Sequence, residues 1–148
     1  MNYYAFAQTL HLYAAIMFVG TVFFEVLIME GVRKRVSVEF MRDMEKVLGK
    51  RIREIIPFAL LVLYGSGLAM IALRYTDVLH HPFQSSFGTL LLIKIILATS
   101  VFGHFLTAMI LIKRHRLNKF RNHVIHTSVF IHVLLIVFLA KGMFFIHL

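Results

Sequence analysis

The chain has no cysteine in its 148 residues, which removes disulfides, thiolate-ligated metals, iron–sulfur clusters and covalent c-type haem attachment. Any metal it holds must use His, Met, carboxylate or Lys side chains. Acidic residues are scarce as well: seven Asp and Glu stand against sixteen Lys and Arg, a formal charge of +9. What fills the chain instead is apolar. Hydrophobic residues make up 59%, aromatic residues 14%, and the mean hydropathy is +0.81, outside the range of soluble domains. A spanning helix needs ~20 apolar residues, so this length holds four spans with short connections and leaves nothing for a soluble domain. The expected fold is all-α, an integral membrane four-helix bundle forming one domain over residues 1–148. The start, Met1-Asn2-Tyr3-Tyr4, lacks a basic n-region and reads as a retained span with an interfacial Tyr pair.

Thirteen of the sixteen Lys and Arg lie in two short connections. Eight Lys and Arg lie in residues 31–54 (Arg33 to Arg53) and five in 113–123 (Lys113, Arg114, Arg116, Lys119, Arg121). The connection from Arg74 to Phe87 carries one Arg and one Asp. This is the positive-inside pattern rather than a nucleic-acid surface, so no nucleic-acid partner is expected. Both basic loops should be cytoplasmic and both termini outside.

In chain order, span 1 covers about 3–29. A helical apolar stripe follows, Val38, Met41, Met44, Val47, Leu48, Ile52, Ile55, set among Arg, Lys and Glu. It predicts a short amphipathic helix lying along the cytoplasmic interface before the chain turns into span 2. Pro57 suits the entry of that span, about 55–73. Within it, Gly65-Ser66-Gly67 bares an arc of helix surface, on which another backbone or a flat group can come close. Span 3, about 88–112, carries Lys94, Ser100, His104 and Thr107. Span 4, about 124–147, carries His126, His132 and Lys141.

Ionisable groups at such depths are expensive and need a reason. His11 and Glu25 are fourteen positions apart, within about 40° on one helix face, with Ala14, Ala15, Phe18 and Val22 between them. Counting ~1.5 Å per residue from the cytoplasmic ends puts His11, Lys94 and Lys141 on an outer level and His104 and His132 on an inner one. His132 and Lys141 are nine apart and face opposite ways. One of them must therefore meet lipid, a kink or a second subunit, the last of which would make a homodimer.

Without Cys, intramembrane imidazole commonly serves as an axial ligand of haem iron between bundle helices. Lysines and Arg74 on the outer level suit tetrapyrrole carboxylates. Copper competes for the same ligand types, but Met17, Met29, Met70 and Met109 are dispersed and build no Met-His cluster. A grouping of Asp77, His80 and His81 on the outer loop offers further metal ligands. Histidines that only hydrogen-bond between helices are the plain alternative.

The order of these features resembles the HemJ family of four-helix membrane proteins, within the wider group that includes CopD-like copper-resistance proteins. The resemblance rests on Leu10-His11 … Phe18-Val19-Gly20, on Asp43-Met44-Glu45-Lys46 … Arg51-Ile52 … Pro57 … Gly65-Ser66-Gly67, on Lys94 … Gly103-His104, and on the late Lys141. The chain departs from that pattern at Glu25-Val26, where the family carries Pro-Arg. What the resemblance implies is a bacterial inner-membrane protein binding haem b and oxidising protoporphyrinogen IX, with electrons passed towards quinone. His11 would then ligate iron, with His104 or His132 as a second ligand. Lys94 would stand at the active site, with Lys94, Lys141 and His104 binding the tetrapyrrole. The CopD side of the resemblance implies copper transport or tolerance instead, and a non-enzymatic assembly subunit is the third reading.

Overall fold

The structure, a computed structural model, describes residues 2–114, 116 and 118–146, the side chain of Lys119 excepted. Among the described residues it is helical apart from short turns, with no strand. Four helices are long and apolar enough to cross a membrane: α1, Tyr3–Arg33; α2, Val38–His80; α3, Ser86–Lys113; and α4, Lys119–Gly142. Each begins on a side chain that accepts from its first-turn amides. Asn2 takes the Ala5 N–H, Ser37 that of Phe40, Ser85 that of Gly88 and Asn118 that of Arg121, at 2.8–3.3 Å. Such caps satisfy donors that the helix itself leaves over. Two π-helical turns interrupt the α geometry, Phe24–Met29 in α1 and Ile71–Tyr75 in α2.

The expected separate amphipathic helix is not an element of its own. Its residues are the first turns of α2, whose α-helical part runs unbroken from Val38 to Met70 with Pro57 inside it. Proline there removes one hydrogen bond, to the Arg53 carbonyl four residues back, and the rest of the ladder continues. At 43 residues α2 is about 65 Å long, twice the ~30 Å hydrocarbon thickness. Only its apolar half can lie in hydrocarbon, and the basic half must extend beyond it. The expected end of span 4 at His147 lies outside the described residues; α4 closes at Gly142.

The chain divides into two compact units between Thr76 and Asp77. In the first, α1 packs on α2. The buried residues of α1 are Ala7, Ala14, Phe18, Val22 and Met29, a stripe spaced by four and seven that holds the face shared by His11 and Glu25. It meets Ile56, Ala59, Leu60 and Ser66 among the buried residues of α2. Small residues at such a seam let helix backbones approach where lipid offers no hydrophobic drive. At one end Arg33 ties the two helices together, pairing with Glu30 and, at 2.6 Å, with Glu45.

In the second unit α3 packs on α4, with Leu90, Leu91, Val101, Val133, Leu139 and Met143 buried and the rings of Phe87 and Phe144 in contact at 5.4 Å. The turn Pro82–Gln84 folds onto the start of α3, where Thr89 Oγ1 donates to the Pro82 carbonyl at 3.1 Å. Gly88 makes that fold possible, because a Cβ there would lie 2.6 Å from the same carbonyl oxygen. Gly88→Ala is expected to cost about 2 kcal/mol by backbone displacement, read as a lowered Tm in detergent. Gly103→Ala, with nothing within 4 Å, should be neutral or stabilise by up to about 1 kcal/mol.

Candidate functional site

His11, His104 and His132 each make hydrogen bonds between or within the spans. In the first unit His11 turns its ring onto α2 over Gly67. Its Nδ1–H donates to the Leu63 carbonyl at 2.9 Å, with Ser66 Oγ at 3.2 Å. Ser66 is buried and donates in turn to the Val62 carbonyl at 2.6 Å. A Cβ on residue 67 would stand 3.2 Å from His11 Cε1, so the space bared by Gly65-Ser66-Gly67 is taken at Gly67 by an imidazole. A carbonyl can only accept, so the proton is fixed on Nδ1 and the lone pair on Nε2. Glu25 is half-buried in the π-helical turn of the same helix.

Near the start of α1, Tyr4 and Tyr75 share a hydrogen bond of 2.9 Å between their hydroxyls, their rings edge to face. The Arg74 guanidinium lies over the Tyr4 ring, 5.1 Å from its centroid, a cation–π contact. Both Arg74 and Tyr75 belong to the π-helical turn of α2.

In the second unit His104 on α3 and His132 on α4 form a reciprocal clasp. Each Nδ1–H donates to the carbonyl four residues back on its own helix, His104 to Ser100 and His132 to Ser128, both at 2.7 Å. Each Nε2 then accepts a serine hydroxyl from the other helix: Ser128 Oγ to His104 at 3.0 Å, Ser100 Oγ to His132 at 3.2 Å. The two rings lie 5.5 Å apart at 53°. The inner level expected for His104 and His132 is thus a direct contact. The sequence carries its signal: Ser100-Val101-Phe102-Gly103-His104 and Ser128-Val129-Phe130-Ile131-His132 are near copies. The two serines are the site residues that counting ionisable groups misses.

The clasp sets the antiparallel register of α3 and α4, so Lys94 is level with Phe138, about one turn from Lys141. Lys94 is half-buried and makes no hydrogen bond or ion pair among the described residues. Lys141 is exposed, on the face of α4 turned away from His132, which resolves the facing conflict in this helix. His11 belongs to the first unit; Lys94, His104, His132 and Lys141 belong to the second. His80, His81 and Asp77 are exposed. No three His, Asp or Glu side chains converge among the described residues.

Comparison with family models, with characterised proteins and with solved structures returned no match to this chain. What the site can do therefore rests on its own chemistry. In a double-mutant cycle, Ser100→Ala and His132→Ala are expected to show a coupling of about 0.6 kcal/mol, the usual size of an interhelical hydrogen bond in a bilayer. Detergent-to-SDS unfolding measures it; additivity within error would show that the clasp contributes nothing.

Proposed function

We propose that this chain is a multi-pass haem b protein of bacterial inner-membrane type, an oxidoreductase resembling the HemJ family, with His11 as an iron ligand. The observation that carries this reading is the His11 Nδ1–H donated to the Leu63 carbonyl. Metal-ligating histidines are held in this way, the far nitrogen fixed by a carbonyl or carboxylate so that the near one keeps its lone pair and aim. The donor set fits haem iron, which takes neutral imidazole. Bound haem would supply one-electron transfer, here from a porphyrinogen towards quinone.

The chain's own residues account for the rest. Lys94 brings an ammonium into a span where it has no protein partner among the described residues. A tetrapyrrole carboxylate would neutralise it, each removing the other's cost of burial. Lys141, level with it to within about a turn, would meet a second carboxylate or the headgroups. His104 and His132 become second-ligand candidates only by giving up the serine hydroxyl on Nε2. The basic loops and the first half of α2 are assigned to the cytoplasmic side, against anionic lipid. Lys141 and the outward apolar faces are left for lipid or a second copy.

The competing reading is a non-enzymatic assembly subunit in which the same histidines only pack; all three already have carbonyl acceptors. A visible spectrum of protein purified after haem-replete expression separates the two. A Soret band that is lost or shifted in His11→Ala is expected, and its absence from the parent protein would sink the haem reading. Lys94→Ala should retain haem and lower turnover of protoporphyrinogen IX by tenfold or more, about 1.4 kcal/mol or greater. Gly67→Ala, whose Cβ crowds the pinned ring, should shift the band without abolishing it.

A further inference from the structure

We infer that the basic end of α4 binds one anionic phospholipid, its phosphate at Arg121 and His123, a glycerol ester carbonyl at Thr127 and an acyl chain along Val124 and Ile131. The inference goes beyond the haem reading and does not depend on it. Three observations carry it: a groove, a hydroxyl without an acceptor, and a positive charge that this end of the chain does not neutralise.

The groove is open-sided, about 330 Å³ in volume, and lined by His123, Val124, Thr127, Ser128 and Ile131. These positions recur at the spacing of one helix face. Val124 and Ile131 are 47% and 51% exposed, an apolar floor open to lipid. Arg121 stands seven residues before Ser128 and falls within about 20° of it around the helix, just before the groove begins. Its guanidinium donates to the Arg116 carbonyl at 3.0 Å. That bond holds it over the connection and leaves most of its N–H fork for an oxyanion. His123 offers an N–H beside it in either tautomer.

Thr127 sets the depth. The six other threonines of the chain each donate to a backbone carbonyl. Thr127 is exposed in the groove and makes no hydrogen bond among the described residues. At the edge of hydrocarbon its acceptor must come from the lipid. It lies one turn, about 6 Å, further along the helix than His123, and the headgroup layer on each side of a bilayer is about 5–8 Å deep. The ester carbonyls of a glycerophospholipid mark the lower boundary of that layer, and a carbonyl only accepts. One lipid molecule therefore meets His123 and Thr127 at the same time.

Charge decides the lipid class. Residues 113–121 carry five Lys and Arg, and no Asp or Glu follows Asp77. The other basic connection is different: six of the chain's seven acids lie in residues 25–54, and Arg33 and Arg51 are paired there with Glu30, Glu45 and Glu54. The connection into α4 has no such counter-charge in its own sequence, so its anions come from outside. Basic pockets beside spanning helices at headgroup level suit anionic lipid headgroups. A zwitterionic lipid brings its own cation and gains least here.

The test is native mass spectrometry of the full-length protein in detergent, titrated with dioleoyl phosphatidylglycerol or dioleoyl phosphatidylcholine. One phosphatidylglycerol is expected to bind about tenfold or more tightly than phosphatidylcholine. Thr127→Val keeps the shape of the side chain, loses no hydrogen bond to the described residues, and should weaken that binding about fivefold. Arg121→Gln should weaken it about tenfold or more. Arg51→Gln removes the same charge from the other connection and should leave it unchanged, and excess inorganic phosphate should not displace the lipid. Equal binding of the two lipids, displacement by phosphate, an unchanged affinity in Thr127→Val, or an equal loss in Arg51→Gln would each overturn the site. The presence or loss of a Soret band bears on none of these outcomes.

Discussion

Hydrocarbon offers no partner to a polar group, so every N–H and O–H carried into a span has to find its acceptor within the protein. His11, His104 and His132 meet this demand in two ways. His11 sends its Nδ1–H across the seam to Leu63 on the neighbouring helix, so the bond that satisfies the ring also fixes α1 against α2. His104 and His132 use their own helices for Nδ1, and the cross-helix link falls to Nε2 and the serines. Each such bond contributes only about 0.6 kcal/mol net. An unmet polar group in the same place costs several. The asymmetry makes the bonds specify register and rotation of the helices more than they add to stability.

The same constraint separates the three cations that lie outside the basic loops. Arg74 has the face of Tyr4, and Lys141 is exposed near the end of its helix, where a long side chain can reach headgroups. Lys94 sits about two turns into α3, half-buried, with no partner among the described residues. An ammonium so placed is either stretched towards the interface or waiting for an anion from outside the chain. The haem reading uses the second possibility.

Much of this was legible because membrane helices write a strong pattern. Hydropathy located the four spans, and the 3.6-residue period put His11 and Glu25 on the stripe of α1 that is buried. Two features escaped for different reasons. The amphipathic stretch before Pro57 reads as a separate helix because composition changes sharply there and proline marks helix starts. Yet one proline costs a helix a single hydrogen bond, and the backbone ladder runs on regardless of which solvent surrounds it. The clasp is invisible to the depths of ionisable groups alone, because half of it is serine. Its serines titrate nowhere near neutrality, and only the repeated Ser-Val-Phe-x-His ties them to the histidines.

Fixing the proton on Nδ1 narrows what these rings can do. A relay through an imidazole takes a proton on one nitrogen and gives one up from the other. The giving side here faces a backbone carbonyl in all three cases, and a carbonyl cannot pass a proton onward. Proton conduction through the rings is closed unless they turn out of their present bonds. The chemistry these rings can offer lies at Nε2, as an acceptor of a hydroxyl or a donor to a metal. The assembly reading and the haem reading at His11 both keep the Nδ1 bond unchanged. They differ only in what meets the second nitrogen, so spectra discriminate between them where stability measurements alone would not.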